Sequence, residues 1–77
     1  MNWVRFSRLN STGIVRSFNV KTGFGFIRPD DGSRDVFVHS GAVRRAGLAT
    51  LCANQKLSYE LRSELDGRKS AVELKAL

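Results

Sequence analysis

Two short segments of alternating aromatic and aliphatic residues constrain the fold of this chain more than any other feature. Residues 24–28 read Phe-Gly-Phe-Ile-Arg, and residues 35–39 read Asp-Val-Phe-Val-His. The side chains of a strand point alternately to opposite faces of its sheet. Between the segments lies Asp31-Gly32, a strong signal for a hairpin turn. The pattern therefore predicts two neighbouring antiparallel strands with one aliphatic face and one aromatic face.

The composition of these two faces predicts which of them lies inside. A small barrel has only one interior, and the Val and Ile residues of both strands are natural fillers of it. Gly25 adds no bulk to this inner face, so the strands can approach closely there. An exposed cluster of aromatic rings normally marks a binding surface. The alternative is a core of Phe residues, which would leave the aliphatic side of both strands in water. We expect the outward set to be Phe24, Phe26, Phe37 and His39.

The remaining sequence predicts three more strands and one short helical turn. The strands are expected over residues 14–18, 56–61 and 71–74, and the turn over residues 41–45. In the fourth strand Leu57, Tyr59 and Leu61 are expected on one face, and Leu48 and Leu51 are expected to anchor the preceding loop. Five short strands without a long helix favour an antiparallel sheet closed into a barrel.

The length and charge of the chain restrict its domain count and its partners. Its 77 residues suffice for one small domain, and 13 Lys and Arg against 7 Asp and Glu give a net charge of +6. Such an excess suggests an anionic partner, either nucleic acid or a membrane surface. No apolar run approaches the roughly 20 residues that span a bilayer, and no long basic amphipathic helix is visible. Basic side chains beside exposed aromatic rings are typical of a protein surface that binds single-stranded nucleic acid.

The sequence offers no convincing catalytic or metal site. His39 is the only histidine and Cys52 the only cysteine, so the usual four-ligand zinc site cannot form. No nucleophile with an orienting carboxylate can be assigned around His39. A single cysteine forms no internal disulfide, which fits a reducing, cytoplasmic setting. We expect no enzyme activity, no cofactor, no small-molecule substrate and no membrane partner, and a monomer with a dimer left open.

Several motifs resemble, in order and spacing, those of the cold-shock domain. The first are Gly13-Ile14-Val15-Arg16, Phe18-Asn19, Gly23-Phe24-Gly25-Phe26-Ile27, Asp31-Gly32 and Asp35-Val36-Phe37-Val38-His39. Farther along, residues 54–59 resemble the fourth strand of that family and residues 71–74 the fifth. The resemblance covers residues 12–77 and leaves residues 1–11 as an N-terminal extension. It implies an all-β, five-stranded OB-type barrel that binds single-stranded RNA or DNA as an RNA chaperone or as a regulator of transcription or translation in stress.

The predicted nucleic-acid contacts combine aromatic, basic and polar side chains. They are Arg16, Phe18, Asn19, Lys21, Phe24, Phe26, Arg28, Phe37, His39, Arg68 and Lys69. The chain also departs from the family at three positions. Ser17 and Ser40 stand where the family usually has stacking aromatics, and Thr22 stands where it has a lysine.

Two other interpretations remain to be weighed. The RRM also contains a Gly-Phe-Gly-Phe-like motif, but there two helices interleave with the strands. Here a short hairpin joins the aromatic strands, and Pro29 falls where that motif needs a continuing strand. The other interpretation is a protein-interaction module, because aromatics are missing at positions 17 and 40. A nucleic-acid complex weakens steeply with added salt, whereas an apolar protein interface does not.

Overall fold

The computed structural model describes residues 11–77. Its elements are β1 (Ser11–Asn19), β2 (Phe24–Pro29), β3 (Val36–His39), α1 (Ser40–Arg45), β4 (Lys56–Ser63) and β5 (Lys69–Ala76). The strands form a closed barrel in the order β1-β2-β3-β5-β4. The predicted all-β, five-stranded barrel is confirmed. The N-terminal extension expected over residues 1–11 lies, apart from Ser11, outside the described residues.

The predicted hairpin joins β2 to β3. Phe24 lies opposite His39 and Phe26 opposite Phe37, in antiparallel register. The turn places Gly32 at a φ of 82°, a conformation that a Cβ disfavours. The Asp31 carboxylate accepts the backbone N–H of Ser33 at 2.9 Å, which closes the loop locally.

The barrel closes through the one parallel pair among the described strands, which departs from the wholly antiparallel sheet that the sequence favoured. β3 and β5 run side by side through Phe37 opposite Ser70 and Val38 opposite Ala71, and the other neighbouring pairs are antiparallel. Because β4 is antiparallel to both β1 and β5, and β2 is antiparallel to both β1 and β3, β5 runs in the same direction as β3. This pairing brings the start of β5 next to the aromatic residues of β3.

The aliphatic faces of the strands form the core, as the alternation predicted. Ile27 and Val38 are fully buried and Val36 nearly so. The core consists of Val15, Ile27, Val36, Val38, Val43, Leu51, Leu57, Tyr59, Ala71 and Leu74. Leu48 packs against it, so the expected anchoring of the loop before β4 is confirmed.

Leu61 differs from the other two apolar residues expected on its face of β4. Leu57 and Tyr59 are buried, whereas Leu61 is 48% exposed. Within the described residues, β1 pairs with β4 only as far as Tyr59. Leu61 therefore lies past the end of the barrel that these strands enclose.

A bulge in β5 reconciles its burial pattern with the geometry of a strand. Ala71 and Leu74 are both buried although residues three apart in a regular strand face opposite sides. The register between β4 and β5 shifts between Ser58 and Glu60, and Glu73 has a φ of 53°. One extra residue in β5 therefore turns Leu74 back into the core.

Candidate nucleic-acid interface

Four rings form one cluster on the outside of β2 and β3, and we call it the aromatic face: Phe24, Phe26, Phe37 and His39. The ring centroids of Phe24 and Phe37 lie 5.2 Å apart, and those of Phe26 and Phe37 lie 5.9 Å apart in an edge-on contact. His39 lies 6.3 Å from Phe24, with its ring inclined by only 17°. Phe24 and Phe26 are 41% and 42% exposed. The structure thus places these rings outside the barrel, and it excludes the alternative of a Phe core.

His39 has one ring nitrogen engaged in the fold. Its Nδ1 accepts the backbone N–H of Gly41 at 3.1 Å and so caps the first turn of α1. With Nδ1 as the acceptor, the neutral imidazole carries its proton on Nε2. The bond fixes the direction of the ring, which stays nearly parallel to Phe24 and exposed.

Phe18 has a different environment from the aromatic face. It is half-buried and packs against the core, and it lies opposite Gly25 in the β1–β2 register. A Cβ on Gly25 would lie 2.1 Å from the Ser17 carbonyl oxygen, so β1 passes directly over this glycine. Phe18 nevertheless lines the same shallow depression as Phe24.

A shallow depression gathers five of the predicted residues of β1, the β1–β2 turn and β2, whereas Arg16 and Arg28 do not line it. The Asn19 side-chain oxygen accepts the backbone N–H groups of Lys21 and Thr22, at 2.8 and 3.2 Å. Asn19 therefore shapes the turn that carries the exposed Lys21. The depression is lined by Ser17, Phe18, Asn19, Val20, Lys21, Thr22, Phe24, Gly25 and Phe26.

Arg16 and Arg28 flank the aromatic face from β1 and β2, and both are exposed. The Arg16 guanidinium lies 3.5 Å from the carboxylate of Asp35, just before β3. This ion pair is solvent-exposed, so an incoming phosphate can compete for the guanidinium at small cost. Both guanidinium groups therefore lie in solvent, next to the strands that carry the aromatic face.

Arg68 lies directly against the aromatic face, although it is distant from it in sequence. Its guanidinium carbon lies 4.8 Å from the centroid of the Phe37 ring, a cation–π contact. Asp66 holds this side chain through a bond of 2.8 Å to Nη2. The backbone N–H of Arg68, followed by its guanidinium, lowers the pKa of the Asp66 carboxyl below its usual value. Lys69 follows as the exposed first residue of β5.

The structure also places three cations beside the aromatic face that were not predicted as contacts from the sequence. A groove of about 680 Å³ runs from Phe37 and His39 between α1 and β5, and Arg62 and Lys75 line it together with Arg45. Arg62 lies opposite Ser70, and Ser70 lies opposite Phe37. The parallel β3–β5 pair therefore brings Arg62 near Phe37, and no local pattern in the sequence predicts this pairing.

The two serine departures lie beside the aromatic residues. Ser17 is exposed and lies opposite Phe26 in the β1–β2 register. Ser40 is half-buried, and its backbone N–H donates to the Gly23 carbonyl at 2.7 Å. Both side chains therefore border the surface that the rings form.

Other kinds of site find little support in the part of the chain that the structure describes. Residues 11–77 contain no group of three or more His, Cys, Asp or Glu side chains placed to hold a metal ion. None of their helices has the length and apolar character needed to cross a membrane. Cys52 is exposed.

Comparison with known proteins gives one consistent result. A family model described as the 'Cold-shock' DNA-binding domain matches residues 11–77. The probable cold shock protein y4cH of Sinorhizobium fredii is 57% identical over 67 residues, which cover 86% of this chain and 97% of that protein. The cold shock protein CspA of Rhizobium meliloti is 49% identical, with the same coverage of 86% and 97%. The cold shock-like protein CspG of Escherichia coli is 47% identical over 78% of this chain and 86% of that protein.

Proposed function

The chain belongs to the cold-shock domain family, whose members bind nucleic acid and are not enzymes, and from this premise we propose that its aromatic face binds single-stranded RNA or DNA. The observation that carries the proposal is the outward position of four clustered rings on a barrel whose interior is filled by aliphatic residues. A base that stacks on an exposed aromatic ring contributes about 1–3 kcal/mol.

The basic residues around the rings supply the second part of the proposed mechanism. Arg16, Lys21 and Arg28 border the aromatic face on one side, and Arg68 and Lys69 border it on the other. Neutralising phosphates releases counterions from the nucleic acid, and this release favours binding without regard to sequence. Stacking and charge together suit a ligand with little sequence preference.

The preference for single strands follows from the same geometry. The bases of a duplex are stacked on one another and cannot offer their faces to a protein ring. A protein that binds only unpaired bases shifts weak RNA structure towards the single-stranded state, without ATP, because it stabilises that state alone. We therefore propose that the chain acts as an RNA chaperone or as a regulator of transcription or translation.

A competition experiment tests this function directly. A labelled oligothymidine or oligouridine is bound to the protein and displaced by unlabelled single strand or by duplex of the same length, at two salt concentrations. We expect the single strand to compete far better, and the logarithm of affinity to fall with the logarithm of salt by about 0.7 for each phosphate contact. Equal competition by duplex would contradict the proposal. Failure to bind either oligonucleotide even at the lower salt concentration would favour the protein-interaction interpretation instead.

A further inference from the structure

Arg68 occupies a surface that a base would need. Its guanidinium carbon lies 4.8 Å from the centroid of the Phe37 ring. Phe37 is only half-buried, and its two phenylalanine neighbours in the aromatic face are 41% and 42% exposed. The guanidinium thus covers ring surface that would otherwise lie open at the centre of the aromatic face.

Asp66 holds Arg68 in this position through two bonds. One carboxylate oxygen accepts the backbone N–H of Arg68 at 2.9 Å, and the other accepts Nη2 of its guanidinium at 2.8 Å. Gly67, at a φ of 88°, makes the tight turn between them. The Arg68 guanidinium is therefore already paired with a carboxylate in the protein without nucleic acid.

We propose that Asp66 weakens nucleic-acid binding by holding Arg68 over Phe37. A base stacks on Phe37 only after the guanidinium has moved aside, and a phosphate gains Arg68 only in competition with the carboxylate. Asp66 would then be a positioning residue that sets the affinity through Arg68. This inference rests on the proposed function, since it concerns access to the same aromatic face.

The Asp66→Asn variant tests the role of the carboxylate, because an Asn oxygen still accepts the Arg68 backbone N–H and so preserves the turn. Asp31→Asn is a matched control. Asp31 also precedes a glycine of positive φ and accepts the backbone N–H of the second residue after it, but its other recorded partner is the Ser33 hydroxyl, not a cation. Both variants remove one negative charge, so they share any general effect of net charge.

We expect Asp66→Asn to raise the affinity for oligothymidine about 1.5- to 5-fold beyond the effect of Asp31→Asn, the range set by exposed ion pairs. The slope of affinity against salt should steepen by up to about 0.7, because Arg68 becomes a full phosphate contact. In an Arg68→Gln background, Asp66→Asn should have no more effect than the control. This loss of coupling separates a role through Arg68 from a direct repulsion between the carboxylate and the ligand.

The position of Arg68 is measured independently by NMR. The Phe37 ring current should shift the Arg68 side-chain protons upfield in the wild type, and Asp66→Asn should reduce that shift. Weaker binding by Asp66→Asn, or an effect equal to that of Asp31→Asn, would overturn the inference while leaving the proposed function intact. A wild-type chain that binds no single strand would overturn both.

Discussion

At the scale of single residues, truncating a ring of the aromatic face should cost less stability than truncating a core side chain, because it leaves no buried cavity. Truncation of a buried Phe costs about 3–5 kcal/mol of stability, largely through the cavity that it creates. Phe24 is 41% exposed and Phe37 is half-buried at the surface. We therefore predict that Phe24→Ala combined with Phe37→Ala abolishes most oligothymidine binding and changes the thermal midpoint little.

Ile27→Val is the control for this double variant, because Ile27 lies in the same hairpin but is fully buried. It should lower stability by about 0.5–1.5 kcal/mol and leave binding unchanged in the folded protein. Thermal unfolding followed by circular dichroism, with a binding titration on each variant, measures both properties. Unfolding of the double Phe variant at room temperature would show that these rings support the fold.

We predict that nucleic-acid binding can also be increased at Ser17 and Ser40. Each borders the aromatic face, and a ring placed there would give the ligand one more stacking surface. A stacked base contributes about 1–3 kcal/mol, so Ser17→Trp or Ser40→Phe should improve affinity by roughly 5-fold, with an upper limit of about 150-fold. Ala53→Trp is the control, because Ala53 is exposed in the loop before β4. No gain from either serine variant, with the fold intact, would mean that nucleotides follow another path.

At the scale of the strands, local patterns were predictable and long-range pairings were not. The β2–β3 hairpin followed from its alternation and from Asp31-Gly32, because both signals lie within the segment itself. The parallel closure between β3 and β5 depends on residues more than thirty positions apart. That closure is what brings Arg62 and Lys75 into the groove beside the aromatic face. The sequence therefore predicted the exposed cluster of rings but not the cations that the barrel closure places beside it.

The crossing of β1 over β2 gives a test of the fold at this scale. A Cβ on Gly25 would lie 2.1 Å from the Ser17 carbonyl oxygen and 2.7 Å from the Phe18 Cα. These are backbone atoms, so Gly25→Ala must force the two strands apart. We predict a loss of at least about 1–3 kcal/mol in the free energy of unfolding, the range for overpacked sites.

Gly41→Ala is the matched control for Gly25→Ala. Gly41 lies in α1, and a Cβ there would meet nothing closer than Nδ1 of His39 at 3.4 Å. Since Ala is favoured over Gly inside a helix, this variant should be neutral or slightly stabilising. Denaturant unfolding of both variants measures the difference. Equal effects would mean that the barrel tolerates a side chain under β1.

At the scale of the whole molecule, the charge that serves binding also makes the few carboxylates important for stability. The chain carries a net charge of +6 with only 7 acidic residues. Asp30 connects three strands, since it follows β2, and its carboxylate accepts the Thr12 hydroxyl of β1 at 2.7 Å and lies 3.2 Å from the Lys56 ammonium of β4. Loss of its charge therefore weakens cross-strand contacts and increases the positive charge of the whole barrel.

The hydrogen bond from Thr12, followed by that from Lys56, lowers the pKa of the Asp30 carboxyl below 3.8 in the folded protein. Because the folded pKa lies below the unfolded one, the ionised carboxylate stabilises the fold above about pH 3.8, and this contribution disappears as the pH falls through the lowered value.

We predict that Asp30→Asn has a lower thermal midpoint than the wild type near neutral pH, because the amide carries no charge. The difference in thermal midpoint between the two proteins should shrink steadily below about pH 3.8 as the wild-type carboxylate takes up its proton. Circular dichroism melts of both proteins across the acid range measure this gap. A gap of constant size down to the lowest pH would mean that Asp30 stabilises the barrel through its shape and hydrogen bonds, independently of its charge.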